Sequence, residues 1–520
     1  MRSAIDDDPQ PDTNINQSFH ILLPATQKDI KLCKTIFSAS VLDYPPPVVV
    51  AWGETIDPEK QEGLWGGGTH LLKISKVLEW LQNLPTERDN DLVMMMDAFD
   101  IWFQLRKDVL IKRYHRINAE ANARIRKRMG RAAAVEGIEQ TIVFASGKRC
   151  FPNEVHTVAC WPLPPSPLPK DMWRGNTDTT VGSFPNQWSA TRPKFLNSGM
   201  IMGPAKDMRA LFARAVQKVT ELGEEPEPDD NGSRWSEKVY HHSDQSVFNV
   251  IFGEQEYQRE VMRIRHITWM SNPILRLQQM LGKDLSDTKD TLEGNPIGNV
   301  LNPPWSHVKI PHLAGKPLEF SIGLDYWQLL TFQTANSERN GQWMTYSKKP
   351  LEDQVEHHDR WDCKPHLRTD LPHDILTSSP PLLGLDELTE ASPDMTRRDI
   401  TARDITARDN GGGSSSGGGR SMITKSWDSV PLYTNVCAGT IPVMLHLNGD
   451  KTMLDGKWKE MWYQPFAEQL AQAMGPQEGL SLLKGVENEG RRSLPPGSAF
   501  ADTGDVLNFR DDLCRDWDFS

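Results

Sequence analysis

Short apolar runs bounded by Pro, Gly or acidic residues alternate along this chain with stretches of helical periodicity. Phe19–Leu23 is the first run and is ended by Pro24-Ala25-Thr26. Lys28–Leu42 then places Ile30, Cys33, Ile36 and Phe37 on one helical stripe, and Val48–Trp52 is a second short run behind three prolines. Strand, helix and strand in this order open a βαβ unit. Leu71–Leu84 is an amphipathic helix, and Leu92–Met96 is apolar without a break, which predicts a strand buried on both faces. Lys107–Arg131 predicts a long helix whose many Arg and Lys residues form a solvated face. Strands are expected at Thr141–Ser146, Glu319–Leu324 and Ile441–Leu445, with Asp325–Phe332 a turn running into a further strand and a helix over Lys206–Leu222. The fold class predicted is α/β.

Punctuation divides the chain. Residues 1–18 are rich in Asp, Pro and Asn and predict a disordered lead-in. One α/β domain is expected over 19–381, with an irregular, Pro/Gly-rich insertion at about 270–315. Residues 382–420 contain Asp-Ile-Thr-Ala-Arg twice, at 399–403 and 404–408, followed by Gly and Ser alone from Gly411 to Gly419. That composition predicts a flexible insertion. The domain is expected to resume over 421–475. Residues 476–520 predict a tail of weak helix and polar coil whose terminal aromatics can dock back.

Composition narrows the function classes. The formal net charge of −12, without a long run of one sign, argues against a general nucleic-acid binder. No stretch is long and apolar enough to span a membrane. The six cysteines lack zinc-ligand spacing and are consistent with either buried thiols or a few disulfides. Asn16 and Asn231 begin glycosylation tripeptides.

The candidate chemistry gathers at the end of the Leu92–Met96 run, where Asp97 and Asp100 follow at once. In open α/β sheets ligands sit beyond the carboxyl ends of the strands, so two hard oxygen donors there suit Mn²⁺ or Mg²⁺ together with substrate phosphates. The alternative is a strand-end turn whose aspartates cap a helix or face water. Gly66-Gly67-Gly68 before a helix that carries Lys73 would let backbone approach an anion such as a diphosphate. Asp244, at the start of a further helix, reads most simply as a cap.

Taken in order, Ala25-Thr26, Gly66-Gly67-Gly68, Met96-Asp97-Ala98-Phe99-Asp100, an aromatic Cys/Trp/Pro stretch, Phe195-Leu196-Asn197-Ser198-Gly199, Asp244-Gln245, Leu324-Asp325 and His446-Leu447-Asn448-Gly449-Asp450-Lys451 form a pattern. It resembles the glycosyltransferase domain of the procollagen lysyl hydroxylase/glycosyltransferase enzymes and their collagen-galactosyltransferase-like relatives. More broadly it resembles GT-A nucleotide-sugar transferases. The resemblance implies a GT-A-like, Rossmann-type nucleotide-sugar-binding domain with a mixed, mostly parallel central sheet. It also implies Mn²⁺ held by Asp97, Asp100 and His446, with a UDP-sugar as donor and a hydroxyl on a glycan or protein as acceptor. Thr26 would face uridine. Gly67, Gly68, Lys73, Gly449 and Lys451 would serve the diphosphate, and Asn197 the donor sugar or acceptor. Asp244 and Lys451 would take the catalytic roles, the carboxylate near the reacting sugar and the cation on the leaving group.

The same resemblance implies work in the lumen of the Golgi or endoplasmic reticulum, with membrane attachment only through an N-terminal anchor outside this chain. Nothing in the chain resembles the dioxygenase domain of the lysyl hydroxylases. Two other readings remain open at this point: a non-catalytic nucleotide-sugar or glycan-binding homologue, and a metal-dependent phosphohydrolase.

Overall fold

The computed structural model describes residues 18–55, 69–155, 157–179, 188–223, 243–266, 316–355, 363–386, 421–473, 477–480, 491–495, 497–515 and 517. Gly66-Gly67-Gly68, the 270–315 insertion, Asn16, Asn231 and the Gly/Ser tract lie outside them. In chain order, β1 (Phe19–Pro24), α1 (Ile30–Ser40), β2 (Val48–Val50), α2 (Thr69–Asn83), β3 (Leu92–Met96) and β4 (Ile101–Phe103) come first. They are followed by α3 (Lys107–Met129), α4 (Arg131–Glu136), β5 (Ile142–Gly147), β6 (Phe195–Pro204), α5 (Ala205–Gly223) and α6 (Asp244–Arg265). Short strands make up most of the rest: β7 (Ile322–Leu324), β8 (Thr331–Gln333), β9 (Gly341–Met344), β10 (Leu382–Asp386), β11 (Ser421–Thr424), β12 (Leu432–Asn435) and β13 (Met444–His446). The last are β14 (Gln477–Leu480), β15 (Arg491–Leu494), β16 (Ala499–Ala501) and β17 (Val506–Leu507).

The main sheet has the order β17-β16-β2-β1-β3-β6-β5-β7. Only β6 and β17 run against the others, so the sheet is mixed and mostly parallel, compatible with a Rossmann-like fold. The unbroken apolar run of β3 has a direct cause. Leu92, Met94 and Met96 enter one core, with α1 and much of the chain after residue 427, while Val93 and Met95 enter a second core with α2, α5 and α6. A strand covered on both faces needs apolar side chains at every position, because neither parity faces water.

Three expectations need correction. The tail is not coil. Ala499–Ala501 extends the main sheet, with Phe500 opposite Val48 and Ala501 opposite Val49, and Phe509 and Trp517 pack on Phe37 of α1. A three-residue strand shows no period, so its pattern was invisible. Leu382–Asp386, expected within the flexible insertion, pairs antiparallel with Ser421–Thr424. Finally, the basic helix α3 is not solvated throughout. Arg113 turns inward and is fully buried, donating to Asp374 and to the carbonyls of Leu329 and Ile441.

All six cysteines are paired, as Cys33–Cys514, Cys150–Cys160 and Cys363–Cys437. The first bond ties α1 to the tail. Among the described residues no helix is long and apolar enough to cross a membrane.

Candidate metal centre and its two cavities

β3 ends at Met96 and delivers Asp97, whose N–H donates to the Gly199 carbonyl and so continues the pairing of β3 with β6 for one more residue. The chain then turns into β4, with Asp100 just before it. β4, β13 and β8 form a small sheet of their own, in which His446 lies opposite Ile101 on one side and Gln333 on the other. The Leu447 N–H donates to the Asp100 carbonyl at 2.8 Å. Backbone pairing therefore carries a histidine from near the end of the chain to the tip of a strand from its first hundred residues.

Three donors converge there. His446 Nε2 lies 3.6 Å from Asp97 Oδ2 and 3.5 Å from Asp100 Oδ1. These residues are the one group of His, Cys, Asp or Glu among the described residues whose ligand atoms all lie within 4.8 Å of one another and could hold a metal ion. His446 is buried, and its other ring nitrogen, Nδ1, has no hydrogen-bond partner among the described residues. The imidazole fits because residue 199 is glycine. A Cβ on Gly199 would overlap His446 Cε1 and lie 2.8 Å from Nδ1. One imidazole and two carboxylates form a donor set suited to Mn²⁺ or Mg²⁺ with open positions.

Each carboxylate uses its outer oxygen elsewhere. Asp97 Oδ1 is 2.8 Å from Lys73 Nζ, and Asp100 Oδ2 pairs with Lys451 Nζ. Lys73 is buried on α2 and also reaches Asp244 Oδ2 at 2.7 Å, while His70 Nδ1 stands 3.5 Å from Asp244 Oδ1. Lys451 is half exposed and is otherwise held by the Leu447 carbonyl at 3.2 Å.

Burial alone would push the Asp244 carboxyl up. The Lys73 charge and hydrogen bonds from His70 and Ser198 outweigh it and hold the group well below the usual carboxylate range. Asp100 follows the same pattern: burial opposes the charged form, and His446 and Lys451 more than compensate. For Lys73, burial pulls the ammonium down, and Asp244 with Asp97 reverses this and raises it.

Two cavities meet at this point. The first, about 490 Å³, is lined by Thr26, Ala51, Lys73, Phe99 and Leu454 among others, and the second, about 570 Å³, by Phe151, Asn197, Asp244, Gln333 and Gly449 among others. His70, Asp97, Asp100 and Lys451 line both. The site residues expected from the sequence thus fall around one centre, apart from Gly67 and Gly68, which lie outside the described residues. Lys73 is placed under the shared wall, with both of its carboxylate partners in hand. Asp244, whose plainest sequence reading is a helix cap, is the first residue of α6 and spends its side chain on Lys73 and His70. Asn197 donates to Gln245 Oε1 at 2.8 Å and accepts from the Gly199 N–H at 3.0 Å. Gly449 has a φ of +95°, a backbone conformation that favours glycine.

Sequence reasoning gave no role to Gly199, took Gln245 only as part of a helix start, and offered His70 only as a basic residue following the glycines. The Asn-Ser-Gly triplet and the Asp-Gln pair were visible as motifs. What Gly199 clears space for is a side chain nearly 250 positions away, and no local pattern encodes it. No protein-family model matches this chain, and no curated protein is significantly similar to it.

Proposed function

We propose that this chain is a metal-dependent glycosyltransferase with a GT-A-like domain, transferring a hexose from a UDP-sugar to a hydroxyl of a glycan or protein. The observation that carries the proposal is the convergence of Asp97, Asp100 and His446 at the wall between two cavities. A transferase needs a centre of this kind, with a donor on one side and an acceptor on the other. A phosphohydrolase that releases a small anion has no use for the second cavity. The ordered motifs that resemble the procollagen glycosyltransferase domains support the same choice.

In this proposal the nucleotide occupies the first cavity, with Thr26 at its wall, and a divalent ion held by Asp97, Asp100 and His446 supplies Lewis-acid neutralisation of the diphosphate. The bond from the anomeric carbon to the diphosphate oxygen breaks as the acceptor hydroxyl oxygen bonds to that carbon and gives its proton to the departing diphosphate, and the anomeric centre gains oxocarbenium character on the way. Lys451, half exposed and tethered by one carboxylate, is free to turn its ammonium toward the charge that grows on the leaving group. Asp244 stands in the wall of the second cavity as a carboxylate kept ionised, a fixed negative charge on the side where the sugar carbon becomes positive. Three disulfides fit an oxidising compartment, and the lumen of the secretory pathway is the location proposed.

The purified chain with Mn²⁺ and a panel of UDP-sugars, assayed for UDP release with and without glycan acceptors, tests the activity. Asp100→Ala and His446→Ala should each abolish Mn²⁺-dependent UDP binding by calorimetry while the melting temperature stays within a few degrees. Unchanged UDP affinity in either variant removes the proposed centre. UDP binding without transfer or donor hydrolysis would instead favour the non-catalytic homologue.

A further inference from the structure

Resting on the metal centre proposed above, we infer that Lys73 is a positioning residue that ties Asp97 to Asp244, so that the charge in the second cavity governs how firmly the first cavity's centre binds its ion. The sequence suggested another role for Lys73, as a cation for the diphosphate. The geometry separates the two lysines. Lys451 is half exposed and holds one carboxylate oxygen, so it can leave Asp100 for an anionic ligand. Lys73 is buried between two carboxylates, at 2.8 Å from Asp97 Oδ1 and 2.7 Å from Asp244 Oδ2. Moving it to a phosphate would strand the Asp244 carboxylate inside the protein, at the cost of an unpaired buried charge.

Lys73 therefore stays where it is when ligands bind, and it has two effects. It occupies Asp97 Oδ1, which leaves Oδ2 as the oxygen that faces His446 Nε2. It also shares one positive charge between Asp97 and Asp244. Any change that lowers the negative charge at Asp244 leaves more of the ammonium to Asp97, where it competes with the ion for the same carboxylate. Partners that lie behind ligating groups commonly alter metal affinity by ten- to a hundredfold. Asp244 has no direct place at the metal centre and acts on it through Lys73.

The test is a double-mutant cycle on Mn²⁺ affinity without nucleotide, read by the loss of the free-Mn²⁺ electron paramagnetic resonance signal. Asp244→Asn should weaken Mn²⁺ binding by about tenfold in the wild-type background, a magnitude typical of groups behind metal ligands. In the Lys73→Met background the same replacement should have a clearly smaller effect, and in Lys73→Arg, whose guanidinium can also bridge two carboxylates, the effect should return. Equal effects of Asp244→Asn with and without the lysine overturn the inference and leave the metal centre standing. Wild-type protein that binds no Mn²⁺ overturns the metal centre and the inference together. Should Lys73→Met fail to fold, the Lys73→Arg pair still decides, because Asp244→Asn must weaken Mn²⁺ binding in that background. UDP affinity at saturating Mn²⁺, measured alongside, should change less than about threefold in Lys73→Arg. A tenfold loss there would return Lys73 to the diphosphate and overturn the inference.

Discussion

The two cavities on either side of Asp97 and Asp100 are built in different ways. The first is made chiefly by segments close together in the sequence: Pro24 to Lys31, His70 to Lys73 and Asp97 to Asp100, all within the first hundred residues, with Lys451 and Leu454 added at one side. The second draws on segments spread over some 300 positions, from Gly147–Phe151 through Leu196–Ser198, Ser243–Gln245 and Gln333–Asn336 to His446–Lys451. The first is therefore the carboxyl-end crevice that a βαβ unit provides by topology. The second exists only when β6, α6 and the small β4-β13-β8 sheet have all docked. Changes at the shared wall should damage both cavities, and changes on one side should damage one.

After removal of a ligand itself, the largest effect is expected behind the shared wall, from a residue that lines neither cavity. Gly199→Ala places a methyl group in the space of the His446 ring. The methyl group has to push the buried imidazole out of its place beside the two carboxylates, so Mn²⁺-dependent UDP binding should fall by about a hundredfold, as it does when metal-supporting geometry is lost. Calorimetry measures it, and affinity within threefold of wild type would mean that the imidazole is not needed where it stands.

A smaller and one-sided effect is expected from Lys451→Met. The residue lines both cavities, but its role in the proposal concerns the leaving diphosphate alone. UDP affinity at saturating Mn²⁺ should drop by about tenfold, the scale of one lost charge-assisted contact. Mn²⁺ affinity without nucleotide should be unchanged or tighter, since a cation that competes for Asp100 has gone. Weaker Mn²⁺ binding without nucleotide would show that Lys451 supports the ion and not the anion.

The difference between the cavities also explains how much could be read from the chain itself. The apolar run at Leu92–Met96 announced β3 because a strand covered on both faces leaves no polar position, and Phe19–Leu23 announced β1 although it carries His20, buried and paired with Asp91. Asp97 and Asp100 followed at a strand end, where topology alone favours a site. The first cavity was largely legible for that reason. His446 carries no local signal and entered only through the order of motifs. Its clearance by Gly199, and the pairing of Lys73 with Asp244, depend on where α2, α6 and β13 pack, and packing at such separations leaves no periodicity to read. The strand at Ala499–Ala501 escaped for another reason: it is too short to show a pattern and too far from β2 to be paired by adjacency.

The expected effect with no consequence for the site concerns a second buried lysine, and it sharpens the contrast with Lys73. Lys194, one residue before β6, is as buried as Lys73, but its ammonium nitrogen has no hydrogen-bond partner among the described residues and sits 5.1 Å from the Phe195 ring. Burial pulls its pKa from 10.5 to about 7, with Asp178 too weak a support and Arg192 opposing. In the unfolded chain the lysine keeps its proton up to its ordinary value, so between about 7 and 10.5 the unfolded state holds one proton more than the folded state. Stability contributed by this position must therefore rise with pH across that window and be lowest near neutrality. Lys194→Met removes the cost. It should raise stability near pH 7 by on the order of 4 kcal/mol at most, with the gain fading as pH approaches 10. UDP affinity should stay as it was, because Lys194 lines neither cavity. Chemical denaturation at several pH values measures the difference: a gain that does not shrink with rising pH would mean that the lysine's protonation is not what costs stability, and a loss near neutrality would mean that its ammonium is paired.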